Sequence, residues 1–202
     1  MKNYDTSRRY TKTHREKIPV IVIYNRRTSL ENIQRQHPHT VIFDMTSRGS
    51  HPWIRFSPFY PHGSIPVPFS PGYESSSVEG IWQGLKVFER ADVDQSKFAI
   101  TTMKNLKRST RTYGQVLGHR QGVAGDQLLS YVEARHLIYL PAYRWVLEHS
   151  LQDLLTELKH LEKEKTLIFL DYETNGDITV VTRPLSHAGL IKLYLEDNWP
   201  HR

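Results

Sequence analysis

Cysteine is absent from this chain of 202 residues, which excludes disulfide bridges and thiolate chemistry. No apolar run approaches the roughly 18 residues of a membrane-crossing helix, so no transmembrane span is expected. The first seventeen residues, MKNYDTSRRYTKTHREK, lack the apolar stretch of a secretory signal. Together these absences point to a cytoplasmic protein. No internal repeat is visible. The eleven histidines form no HExxH or other zinc spacing, so neither a metal site nor a cofactor is expected. Gly114, Gly118, Gly122 and Gly125 have no Walker or Rossmann context and read as a flexible linker.

What the chain does hold is an excess of positive charge, unevenly placed. Its 27 basic residues outnumber 21 acidic ones, a formal net charge of +6. Residues 1–17 carry six basic and two acidic residues, and residues 104–120 (KNLKRSTRTYGQVLGHR) carry five basic residues and no acid. Two such patches suit an anionic partner, either a nucleic acid or the phosphates of a nucleotide. A solvated basic surface is the plainer reading. With 38% hydrophobic and 11% aromatic residues, the chain has the apolar surface for a core, and its length suits one domain. We expect residues 1–17 to form a basic flexible arm and residues 18–202 a single domain.

The pattern along the chain is α+β, helix-rich, with small β-elements. Residues 18–24 (IPVIVIY) and 40–45 (TVIFDM) read as strands around a short helix at 29–35 (SLENIQR). This is a β-α-β unit whose connection can cross over to a parallel neighbour. Residues 52–73 hold too many prolines and glycines for a regular helix, yet six aromatics among them argue for an ordered loop. Helical spacing predicts helices over 76–89, 126–140, 141–150 and 151–163, the last with Leu151, Leu154, Leu155, Leu158 and Leu161 on one side. Residues 167–172 (LIFLDY) and 178–182 are expected to pair as a hairpin through an Asn-Gly turn. A helix over 186–196 closes the chain.

The feature that asks for chemistry is Glu79 in SSSVEGIWQGLKVF, residues 75–88. Ser76-x-x-Glu79 matches a capping box, which alone accounts for a carboxylate there. However, Glu79, Gln83 and Lys86 follow at steps of four and three and share one stripe, bordered by Trp82. A carboxylate, an amide and an ammonium beside an indole can grip a polar ligand that carries a ring. The basic 104–120 segment can add phosphate contacts, arginine being the best bidentate donor. Asp171, at a strand end, is the better ligand candidate of the acidic 171–177 stretch. The aromatics of 139–145 read as core, with Arg144 able to point into a pocket. His187 reads as a helix-start residue rather than a base.

RFSPFYPHG at residues 55–63, followed by SVEGIWQGLKVF, resembles the NADAR proteins, N-glycosidases acting on ADP-ribosylated or ribosyl-phosphate substrates. The matching positions are the loop Ser57-Pro58-Phe59-Tyr60-Pro61 and, on the helix, Ser77, Glu79, Trp82, Gln83 and Lys86. Pro58 stands where that family usually has Asn. The resemblance spans residues 55–88. The chain also looks like an uncharacterised group sharing SPFYPHG, VEGIWQGLK and IYLPAYRWVLE, which implies a common fold and no activity.

The resemblance implies that Glu79 stabilises an oxocarbenium-like transition state. A helix N-terminus favours the charged carboxylate there, which suits that role better than proton donation. Trp82 and Tyr60 would stack on the base, with Ser57, Phe59 and Gln83 also in the substrate site. Arg55, Lys86, Lys104 and Arg108 would meet phosphates. The implied partner is a nucleotide or an ADP-ribosylated small molecule. Two other readings stay open: a nucleotide-binding sensor or sponge without turnover, and a nucleic-acid-binding protein using the basic segments. No membrane partner is expected.

Overall fold

A computed structural model describes residues 20–200; the expected arm at 1–17 lies outside them, as do residues 18, 19, 201 and 202. The β-branched run forms strand β1 (Ile21–Asn25), and Ser29 precedes helix α1 (Leu30–Gln36). Strand β2 (Val41–Asp44) follows. The proline-rich stretch is irregular apart from a 3-10 turn at Trp53–Phe56 and the short strand β3 (Ile65–Pro66), which pairs with β4 (Glu74–Ser75). Helix α2 (Val78–Gly84) is next, then strand β5 (Lys86–Phe88).

The helix expected over 76–89 is therefore shorter than its periodicity suggests. The Gly84 carbonyl accepts from the Asp94 amide at 2.8 Å and the Leu85 carbonyl from the Arg120 amide at 2.9 Å. Tertiary partners thus satisfy the helix end, and Lys86–Phe88 is drawn into a sheet. Gly84 also lies so close to Phe98 that an added Cβ would sit 2.2 Å from its ring.

The short helix α3 (Thr110–Tyr113) leads into strand β6 (Val116–Arg120), which lies between β5 and β7 (Leu128–Leu129) in an antiparallel sheet. Part of the expected glycine linker is this strand: Gly118 pairs with Val87. The helix expected from 126 begins only at α4 (Tyr131–Ala134), behind a capping box of Ser130 and Glu133. A π-turn (Arg135–Tyr139) then joins it to α5 (Leu140–Ser150). Pro141 has no amide hydrogen to continue the regular ladder, and the bond from the Leu140 amide reaches back to Arg135 instead. Helix α6 (Gln152–Leu161) buries Leu154, Leu155 and Leu158 as its pattern predicts.

Strand β8 (Leu167–Asp171) inserts between β1 and β2, parallel to both. The two strands of the expected β-α-β unit are parallel but not neighbours. The expected hairpin does not form either: both edges of β8 are occupied, and residues 178–182 run as turns. Alternation along β8 buries both faces. Ile168 and Leu170 meet Ile33 of α1, while Leu167 and Phe169 join the main core. Helix α7 (His187–Leu195), capped by Ser186, closes the fold. The architecture is α+β, one helix-rich domain with small sheets.

Candidate functional site

The site is built on the first turn of α2. Ser77, not Ser76, is its N-cap, accepting from the Gly80 amide at 3.0 Å. A capping box would need an acid at position 80, so Glu79 has no capping duty. Ser77→Ala is expected to lower unfolding free energy by about 1 kcal/mol in urea denaturation. The Glu79 amide donates to the Pro58 carbonyl at 2.9 Å, which ties the aromatic loop to this turn.

The Glu79 side chain faces a cleft of about 440 Å³, although the residue is only 7% exposed. Its Oε1 accepts from Gln83 Nε2 at 2.8 Å. The Arg108 amide donates to Gln83 Oε1 at 3.1 Å, which fixes the Gln83 amide with its NH₂ toward Glu79. Burial pushes the Glu79 carboxyl above its ordinary range, against the Gln83 hydrogen bond and the charges of Lys86 and Lys107. This corrects the expectation from the helix terminus: desolvation outweighs the favourable field. Burial likewise lowers the Lys86 ammonium, with Glu79 opposing.

Ser57, Phe59, Trp82, Gln83, Lys86, Arg108 and Asp171 line the same cleft, as the sequence suggested. Their parts differ from those expected. Arg108 is a structural staple: its guanidinium donates to the carbonyls of Gln83, Lys86 and Asp92 at 2.6–3.2 Å. It has little left for a phosphate. Trp82 has one face against His119, ring centroids 3.8 Å apart, and Lys86 Nζ lies 5.8 Å from its ring centre. It is therefore a wall more than a free stacking platform.

Behind Trp82, burial first and then the Lys86 charge lower the His119 ring to about 3, the Trp82 backbone opposing least. Among the described residues neither His119 nitrogen meets hydrogen-bond geometry. Asp171 is an anchor. Its Oδ2 accepts from Ser186 Oγ at 2.8 Å and the Ala188 amide at 3.2 Å, and lies 3.1 Å from His187 Nδ1. This holds the start of α7 against the end of β8.

Three expected residues do not line the cleft. Arg55 pairs with Asp153 at 2.7 Å and the Ser150 carbonyl at 2.6 Å. Tyr60 lies against His51 and His62. Lys104 is exposed and outside the cleft. Arg144 also turns away, to Glu148 at 2.7 Å. The basic 104–120 segment is thereby dispersed: Arg120 meets Asp92, Arg108 turns inward, and Lys107 is the one residue of the segment that faces the cleft with no carboxylate partner among the described residues.

The sequence reading missed Lys107, Tyr131, Arg135, Tyr139 and His187, all of which line the cleft. Arg135 and Tyr139 begin and end the π-turn, and the signal for it was Pro141 inside a long helical run. Burial, aided by the charges of Glu79 and Asp171, raises the Tyr139 phenol well above its ordinary range, so it stays a hydrogen-bond donor. His187 is more than a helix starter, since its Nε2 donates to the Met45 carbonyl at 2.8 Å. Among the described residues no group of three His, Asp or Glu side chains is placed to hold a metal. No helix there is long and apolar enough to cross a membrane.

A family model described as a family of unknown function, DUF6939, matches residues 25–191. The chain belongs to the DUF6939 family. No curated protein matches it. The matched span includes every element of the DUF6939 fold that lines the cleft, from the end of β1 through most of α7. The family description carries no activity, so for this DUF6939 protein function is argued from the cleft.

Proposed function

We propose that this protein is an N-glycosidase that hydrolyses the bond between a base and the sugar of an ADP-ribose-like or ribosyl-phosphate substrate. The observation that carries the reading is the setting of Glu79. It is a buried carboxyl facing a cleft, oriented by Gln83, with Lys86 and Lys107 near enough to shift its titration. The resemblance over residues 55–88 supports the same assignment.

The chemistry follows from charge. The C–N bond breaks with its electron pair leaving on the base, and positive charge builds on the anomeric carbon and ring oxygen. A carboxylate in a desolvated cleft stabilises that charge more strongly than water does. Water adds to the anomeric carbon, and its proton passes to Glu79, whose raised pKa makes it the better base. Where the leaving nitrogen needs a proton, Lys86 is suited to supply it because burial makes its ammonium more acidic. Phe59 and Tyr139 offer aromatic surface to the base. A nucleotide-derived substrate fits the cytoplasmic location expected from the sequence.

The test is incubation of wild-type protein with NAD-derived and ADP-ribosylated nucleotides and with ribosyl-phosphate N-glycosides, followed by mass spectrometry. Free base and free sugar product are expected from at least one class. Tight binding with every ligand recovered unchanged overturns turnover in favour of a sponge.

A further inference from the structure

Strands β1, β8 and β2 are parallel, so all three end at the same edge. Ligands of open parallel sheets collect outside such carboxyl ends, where the connecting loops diverge. Here the strand ends build a second groove of about 510 Å³ beside the Glu79 cleft. Ser47, Phe59, Lys107 and Tyr172 line both. The two spaces therefore adjoin, and Lys107 stands between them with its Nζ 5.4 Å from the Phe59 ring centre.

The rest of the groove is lined by Arg26, Arg27 and Arg48. Among the described residues four cations and no acid line it. Arg26 alone has a carboxylate partner, Asp44 at 2.8 Å. Among the described residues Arg27, Arg48 and Lys107 have no carboxylate within 4.0 Å. Crowding like charges raises the energy of the folded chain unless an anion neutralises them.

The backbone that carries the three arginines is fixed. The Arg26 amide donates to the Asp171 carbonyl at 2.7 Å, and the Arg27 amide to Asn25 Oδ1 at 2.9 Å. Asn25 Nδ2 donates to the Tyr172 carbonyl at 2.7 Å. Arg48 sits in a turn where its amide meets Thr46 Oγ1 at 3.2 Å and Thr46 Oγ1 donates to Asp44 Oδ1 at 2.6 Å. Rigid backbone under free guanidinium groups is what recognition of phosphate oxygens requires.

We propose that this groove is a diphosphate subsite. It receives the phosphates of a substrate whose base and sugar occupy the Glu79 cleft, with Lys107 bridging the two. The inference rests on the N-glycosidase reading for the second half of the ligand but not for the first. It narrows the substrate class to N-glycosides bearing a diphosphate. Arg26, Arg27 and Arg48 lie outside residues 55–88, so that resemblance does not assign them.

The experiment is calorimetric titration of inorganic pyrophosphate, and of orthophosphate, into wild type, Arg27→Ala/Arg48→Ala and Glu79→Gln. Pyrophosphate is expected to bind wild type and Glu79→Gln alike and more tightly than orthophosphate. Loss of two charge-assisted contacts should weaken it by at least about 10-fold in the double variant. Both arginines are exposed and belong to a cluster of like charge, so a melting temperature no lower than that of wild type should accompany that loss. Absence of pyrophosphate binding, or binding indifferent to the double variant, overturns the subsite whether or not Glu79 releases base. A single-stranded oligonucleotide that binds with a steep salt dependence where pyrophosphate does not also overturns it, in favour of nucleic acid.

Discussion

Glu79→Gln is expected to reduce base release by about 10³-fold, the scale of removing a charged group that acts at the transition state. The substitution keeps size and shape, and its amide oxygen can still accept from Gln83. What it removes is the negative charge facing the anomeric carbon and the site that takes the proton of water. The measurement is single-turnover release of base with substrate saturating, so that weaker binding does not masquerade as slower chemistry. Equal rates in the two proteins would show that another group does the work. In wild type the rate should rise with pH through a value above the ordinary carboxylate range, because burial raises that carboxyl. The rising limb should disappear in the variant.

The same substitution should raise stability at neutral pH, and the direction follows from linkage. A carboxyl whose pKa is higher in the folded state favours folding at pH below its unfolded value. That contribution is lost as pH rises through the folded value. Above the folded value wild type therefore carries the unfavourable burial of a charge, whereas glutamine is neutral throughout. The melting temperature of Glu79→Gln should exceed wild type at pH 8, and the gap should close below about pH 4. A variant both inactive and more stable is the pattern of a group kept for chemistry rather than for the fold.

How much of this was legible in the sequence depends on the range of the forces involved. Helical periodicity located α2, α5, α6 and α7, since it reports a local face. The stripe of Glu79 and Gln83 was legible for the same reason, and the 2.8 Å bond between them realises it. Lys86 joins them from a strand instead, because the amide of Arg120, thirty-five residues beyond Leu85, ends the helix early. The placing of β8 between β1 and β2 pairs Ile21 with Leu167, and no local pattern announces such a partner. Charge was the least legible feature. Lys104, Lys107 and Arg108 look alike in sequence, yet one is in solvent, one faces the cleft and one is fastened to carbonyls. Which of them remains free for a ligand is decided by tertiary contacts alone.

Arg135→Met is expected to lower unfolding free energy by about 3 kcal/mol in urea denaturation. Arg135 is 2% exposed. Its guanidinium donates to the carbonyls of Ile178, Val180 and Arg183 at 2.6, 2.8 and 2.7 Å and lies 4.5 Å from the Tyr131 ring centre. Among the described residues, 178–183 have no strand partner to take those carbonyls, so one side chain does most of the work that a sheet edge would do. Methionine fills similar space but leaves the Ile178 and Arg183 carbonyls without a donor among the described residues, and Val180 with Asn175 Nδ2 at 3.3 Å alone. The segment runs into Pro184 and Leu185, which line the cleft, so amide exchange over 176–185 should quicken and base release should fall with stability. Arg135→Lys separates charge from geometry. A single ammonium cannot span three carbonyls that a planar fork reaches from two nitrogens, and it should recover less than half of the loss. If Arg135→Met unfolds at the wild-type urea concentration, the segment is held by its own turns, such as the Asp177 carboxylate accepting from Thr179 at 2.7–2.8 Å, and Arg135 belongs to the ligand instead.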